Sequence, residues 1–113
     1  MIEPRLKAGL FVRGYLRICE VAGVYGAIVR KGDETAGSVL IRISRLDGTG
    51  HVLAPVTHDG GGRAWRYRNG EEPQPDAELD AMIEREVRRD PDLWLIEIED
   101  KQGRHFLDEP VIS

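Results

Sequence analysis

The stretch Asp90-Pro91-Asp92-Leu93-Trp94-Leu95-Ile96-Glu97-Ile98-Glu99-Asp100 decides how this chain folds. It opens where a helix must stop, because Pro91 cannot continue one and biases Asp90 away from the α region. It closes in a Lys101-Gln102-Gly103 turn. Between these points Trp94, Ile96 and Ile98 alternate with Leu95, Glu97 and Glu99. A strand here turns one apolar face inward and sends two carboxylates outward. The spacing predicts a central strand of the only sheet.

Working back from this strand, Asp76, Glu78 and Asp80 load the N-terminal end of a helix opened by Pro75 or Asp76, and Arg85, Arg88 and Arg89 lie toward its C-terminal end. Leu79, Met82, Ile83 and Val87 form the stripe that must rest on the sheet. The loop Asn69-Gly70-Glu71-Glu72-Pro73-Gln74-Pro75 precedes it. Further back, the period is two. Tyr25–Arg30, Val39–Ser44, His51–Val56 and Arg63–Arg68 read as strands, with Lys31–Gly37, Asp47-Gly48 and Asp59-Gly60-Gly61-Gly62 as turns. Asp47-Gly48 suits a type I′ hairpin, whose central residues both need positive φ. Pro55 suggests that its strand is an edge or ends there.

Residues 6–22 are apolar almost all round, apart from the stripe Arg13, Arg17 and Glu20. They are expected to form a largely buried helix closed by Gly23, although Gly9 and Gly14 leave Leu10-Phe11-Val12 open to beginning as a strand. After Gly103 the chain is expected to complete a last hairpin through Arg104-His105-Phe106-Leu107. The sum is one α+β domain over residues 1–113: two layers, a mainly antiparallel sheet of five or six strands, and both helices on one face.

Composition agrees with a soluble globular chain, at 41% hydrophobic and 32% charged residues. No run approaches a membrane span, and Met1-Ile2-Glu3-Pro4-Arg5 lacks the apolar core of a signal peptide. The single cysteine, Cys19, leaves no intrachain disulfide, so a cytoplasmic setting is expected. The net charge of −4 is split unevenly: residues 1–70 carry 11 Lys+Arg against 6 Asp+Glu, and residues 71–113 carry 5 against 14. Two halves that pack with complementary charge explain this more simply than a basic patch for an anionic partner.

Arg45-Leu46-Asp47-Gly48, the Asp90–Asp100 stretch, the run Gly103-Arg104-His105-Phe106-Leu107-Asp108-Glu109-Pro110, and Gly32-Asp33 with Gly37 together resemble one family of short alphaproteobacterial proteins. It is the domain of unknown function fourteen ninety-one. The resemblance covers nearly the whole chain. It implies a bacterial cytoplasmic protein and no chemistry.

The residues themselves point to surfaces rather than to catalysis. Arg63-Ala64-Trp65-Arg66-Tyr67-Arg68 has the composition of a nucleic-acid surface. On a strand, however, the arginines share a face with Ala64 while Trp65 and Tyr67 turn to the core, so nucleic acid is not the expected partner. Arg42, Arg66, Arg68, Glu97 and Glu99, flanked by Leu40 and Leu95, are expected on an outer sheet face free of helices. Such a face either pairs its charges across strands or docks a partner.

His51, His58 and His105 show no metal-ligand spacing. His105 beside Glu97 or Glu99 is the one candidate acid/base or metal-binding group. The glycines at 60–62 are followed by a strand, not the helix N-terminus that a phosphate cradle needs. Cys19 belongs to the core, and Glu20 offers Arg17 a partner. No cofactor is implied. The expectation is a small non-enzymatic module that binds another protein or itself. The competing readings are a small enzyme or metal-binding protein built on His105, and, more weakly, a nucleic-acid binder.

Overall fold

The computed structural model describes residues 7–56 and 63–112. In chain order it contains helix α1 (Ala8–Val21), strands β1 (Gly26–Arg30), β2 (Val39–Ser44), β3 (Thr49–Val56), β4 (Ala64–Tyr67) and β5 (Gln74–Pro75), helix α2 (Asp76–Arg89), and strands β6 (Trp94–Glu99) and β7 (Val111–Ile112). The order across the sheet is β1-β6-β2-β3-β4-β7, with β5 added to β3. His58 and the expected turn Asp59–Gly62 lie outside the described residues.

The opening stretch behaves as read: β6 is an interior strand between β1 and β2, and Trp94, Ile96 and Ile98 are buried. The sheet is mainly antiparallel, as expected, in the pairings β1–β6, β2–β3, β3–β4 and β3–β5, but it is mixed rather than purely so. β2 runs parallel to β6, pairing Val39 with Trp94 through Ser44 with Glu99, and β4 runs parallel to β7. The helices also correct the expected layers. Phe11, Val12, Tyr15 and Cys19 of α1 share a core with Val39, Ile41, Ile43, Leu53, Trp65, Trp94, Ile96 and Ile98. Leu79, Met82 and Ile83 of α2 share a separate one with Leu40, Val52, Ala54, Leu93 and Leu95. These are the alternate residues of the same strands, so the helices lie on opposite faces.

Local chemistry explains the element ends. α1 finishes in a Schellman motif: Gly23, at φ +77°, donates to the Glu20 carbonyl at 3.0 Å, and Val24 donates to that of Cys19 at 2.8 Å. At its start no side chain caps the helix; the link after β1 does so instead. The carbonyl of Glu34 accepts from Gly9 N–H at 2.9 Å and that of Thr35 from Ala8 N–H at 3.4 Å. That tie makes Leu10–Val12 helical rather than extended. The same link clamps onto the β6 approach: Asp33 N–H donates to the Asp92 carbonyl at 3.0 Å and Trp94 Nε1 to the Asp33 carbonyl at 2.7 Å. A Cβ at Gly32 or Gly37 would stand 2.2 or 2.4 Å from that Asp92 oxygen, so both positions need glycine.

Two turns and ends differ from expectation, while Pro55 marks a strand that ends at Val56, as one of its two expected readings had it. The β2–β3 connection places positive φ at Leu46 and Gly48 rather than at Asp47 and Gly48. The Asp47 carboxylate accepts from Thr49 N–H at 3.0 Å and Thr49 Oγ1 at 2.6 Å. Pro55 sits near the end of an interior strand. Its partner Trp65 donates its N–H away from β3, to the Pro110 carbonyl at 2.9 Å, so the missing donor of Pro55 faces β2, where the ladder already stops at the Ile41–Leu53 pair. The last hairpin does not form. Residues 104–107 are irregular, with Phe106 at φ +60°, and the chain reaches β4 only at Val111.

Candidate functional site

The five residues expected on a free outer face lie on the side that α2 covers. Arg42 is the clearest case. Its side chain is only 13% exposed and reaches Asp80 and, at 3.4 Å, Asp76 from α2. Its Nε lies 3.5 Å from Glu97 Oε1, an ion pair without hydrogen-bond alignment. Burial opposes the guanidinium charge, but Asp80, Glu97 and Asp76 more than offset it, and the group is held above its usual range. Arg68 pairs with Glu86 of α2 at 2.9 Å. Glu99 lies opposite Ser44 in the parallel ladder. Arg66 stays exposed beside Ala54 and lines a shallow polar hollow with Arg68, Tyr67 and Asn69. Arg42 and Arg68, with Glu97 beside Arg42, thus seat a helix, while Arg66 remains open.

His105 does not meet Glu97 or Glu99. Its carbonyl accepts the Tyr15 hydroxyl of α1 at 2.8 Å, and its Nδ1 accepts from Leu107 N–H at 2.9 Å. The sheet stands between it and the Arg42–Glu97 pair. Burial lowers its pKa, which favours the neutral ring that this acceptor role requires. Among the described residues no three His, Cys, Asp or Glu side chains gather to hold a metal ion.

Among the described residues His51 is the more deeply buried histidine. It is 6% exposed, lies edge-on to Tyr67, and has Nε2 3.3 Å from Arg45 Nη1. Burial first, and then the Arg45 charge, lower its pKa. Cys19 is fully buried and burial pushes its thiol up, as an inert core position requires.

The irregular C-terminal segment builds a groove that the sequence did not announce. The Asp100 carboxylate accepts from Arg104 N–H at 2.7 Å, Nε at 3.1 Å and Nη2 at 2.9 Å, which turns the chain after Gly103. The Arg104 hydrogen bonds hold the Asp100 carboxyl below the usual carboxylate range. Tyr15 then pins His105, and Trp65 Nε1 donates to Glu109 Oε1 at 2.9 Å. Burial raises the Tyr15 phenol far above its usual pKa, so it stays a donor. Phe106 and Leu107 are thereby held beside α1.

Between them and the helix lies a groove of about 250 Å³, lined by Leu10, Phe11, Gly14, Tyr15, Ile18, Phe106 and Leu107 and rimmed by Asp108 and Glu109. Leu10 is 56% and Ile18 41% exposed, although both were expected in the core. Nothing stands within 4 Å of where a Cβ on Gly14 would be, so the groove is open at its middle. The missed signal was the spacing Leu10, Gly14, Ile18: one helical stripe, offset from Phe11, Tyr15 and Cys19.

Among the described residues no helix is long and apolar enough to cross a membrane. Comparison with known proteins agrees with the resemblance seen in the sequence. A protein family of unknown function, DUF1491, matches residues 6–108. The crystal structure of a DUF1491 family protein from Caulobacter crescentus is 39% identical, with a TM-score of 0.83 over 95% of this chain and 99% of that one. The NMR structure of a DUF1491 family protein from the same organism is 38% identical, with a TM-score of 0.80 over 100% and 99%. The solution structure of protein Atu0922 from A. tumefaciens is 29% identical, with a TM-score of 0.81 over 97% and 98%. No curated protein matches the chain, and no relative assigns the fold a function. By sequence and by structure, the chain belongs to the DUF1491 family.

Proposed function

We propose that this protein is a small bacterial binding module that takes an apolar segment of another protein into the groove between α1 and residues 106–109. One observation carries the reading: Leu10 and Ile18 are exposed on either side of an open Gly14, while Phe11, Tyr15 and Cys19 of the same helix are buried. Exposed apolar side chains grouped along a groove are characteristic of interaction surfaces. A groove of about 250 Å³ accommodates one or two large side chains, and Asp108 at the rim favours a segment with a cation beside its apolar anchors. A single buried cysteine fits a reducing cytoplasm.

The test is recovery of partners from a native bacterial lysate by three baits: the wild type, Leu10→Asp/Ile18→Asp, and Arg66→Glu. Leu10 and Ile18 are exposed, so the double variant should unfold at the same temperature as the wild type. A protein that binds the wild type and Arg66→Glu but not the groove variant is the expected result. Identical recovery by all three baits would show that the groove is not the contact surface.

A further inference from the structure

Strand β1 ends the sheet. It pairs with β6 and, among the described residues, with no other strand. Glu99 N–H donates to the Tyr25 carbonyl at 3.0 Å. Antiparallel bonding alternates along a strand, so Ala27, opposite Glu97, also bonds toward β6. The N–H and C=O groups of Gly26 and Ile28 then face away from the sheet. The apolar side chains along this edge are just as open: Tyr25 is 64%, Ile28 43% and Val29 57% exposed. Edge strands are usually blunted by charge or by bulges. Here the one irregularity, between Ile28 and Arg30, lies at the far end and leaves residues 25–28 regular.

We propose that this edge is completed by β1 of a second copy of the chain, antiparallel about a two-fold axis at Ala27. This register matches every free group. Gly26 of each copy lies opposite Ile28 of the other, and the pair exchanges both backbone bonds, twice over. Tyr25 of each copy meets Val29 of the other, an aromatic–β-branched pair that covers the two most exposed side chains of the edge. Ile28 comes over a glycine and meets Leu16, whose Cδ2 already sits above Gly26.

A register centred on Ile28 instead sets Gly26 against Arg30 and Tyr25 against Lys31, and leaves the apolar groups unmatched. The bulge at Val29 stops the ladder, and the two-fold contact closes on itself, so the assembly is a dimer and not a fibre. The contact is short, which sets it at the small end of specific interfaces and makes the dimer concentration-dependent. The α1 groove plays no part in it.

Sedimentation velocity from low-micromolar to near-millimolar protein tests the association, and cysteine cross-linking tests the register. The wild type should shift from monomer to dimer across that range, and Val29→Lys should remain monomeric with an unchanged unfolding temperature. Ala27→Cys should cross-link to itself under mild oxidation, because the axis brings its two copies within disulfide reach, while Tyr25→Cys should not.

A wild type that stays monomeric throughout overturns the proposal. So does a dimer that survives Val29→Lys without an Ala27→Cys cross-link, which would place the contact elsewhere. Slow hydrogen exchange at the Gly26 and Ile28 amides of a monomer would overturn it too, by showing that the chain's own residues cover the edge. Leu10→Asp/Ile18→Asp should still dimerise, which separates this contact from the groove.

Discussion

The two faces of the sheet bury their helices by different physics. Under α1 the contact is mostly apolar and aromatic: Phe11 stacks near Tyr15 and Trp65, with ring centres 6.1 and 5.5 Å away, and Trp94, Ile96 and Ile98 are at most 1% exposed. Under α2 a smaller apolar centre of Leu40, Val52, Leu79 and Leu95 is edged by charge, with Arg42 reaching Asp76, Asp80 and Glu97, and Arg68 reaching Glu86. The first face holds its helix mainly by packing, which is strong and non-directional, with hydrogen bonds from Ala8, Gly9 and Tyr15 fixing its place. The second adds directional pairs that specify where the helix sits.

The largest effect should come from the apolar face. Trp94→Ala removes a side chain that is 1% exposed together with the Nε1 bond to the Asp33 carbonyl that anchors the α1-capping link. A loss of about 3–5 kcal/mol in chemical denaturation is expected. A loss below about 1 kcal/mol would mean that the link and α1 hold without it.

On the charged face Arg42→Ala leaves three carboxylates facing one another, but these are 37–66% exposed and remain partly hydrated. The expected cost is about 1–3 kcal/mol, and Asp80→Ala, at the most exposed of the three, should cost less. If Arg42→Met equals or exceeds the wild type, the pairs contribute orientation rather than stability.

The smallest effect concerns pH. Unfolded histidines take up a proton near 6.5, whereas burial keeps folded His105 below that value, and burial with Arg45 does the same for His51. Below pH 6.5 the unfolded chain therefore binds more protons, so stability is whole above that pH and falls as the pH is lowered through the window. Thermal unfolding at pH 7.5 and 5.5 should show this loss, and His51→Gln should reduce it. An undiminished loss in that variant would assign the effect to His105 instead.

Much of this was legible in residue order. The alternation in Trp94–Glu99 and Val39–Ser44 identified which side chains share a face, and Gly23 marked the end of α1. Trp65 and Tyr67 turned to the core as expected, Trp65 fully and Tyr67 in part. The placement of α2 was misread, although a signal existed: Val39-Leu40-Ile41 and Leu93-Trp94-Leu95-Ile96 are unbroken apolar runs. Such runs belong to strands covered on both sides. Glu97 and Glu99 obscured this by looking like a wet face, when Glu97 is one of the carboxylates around Arg42. The groove was less legible still. Leu10 and Ile18 are as hydrophobic as their buried neighbours, and nothing in their identity says that Phe106 and Leu107 stop short of covering them.

The sequence by itself determined the two helices, the five longer strands, which side chains of a strand share a face and where α1 stops, because these follow from side-chain periodicity and from the local backbone preferences of proline and glycine. Only the tertiary structure decided that β2 and β6 run parallel, that the helices take opposite faces, and that the histidine and the carboxylates are parted by the sheet. Those outcomes depend on which distant surfaces meet, and pairing between strands 55 residues apart is set by the whole core rather than by any local pattern.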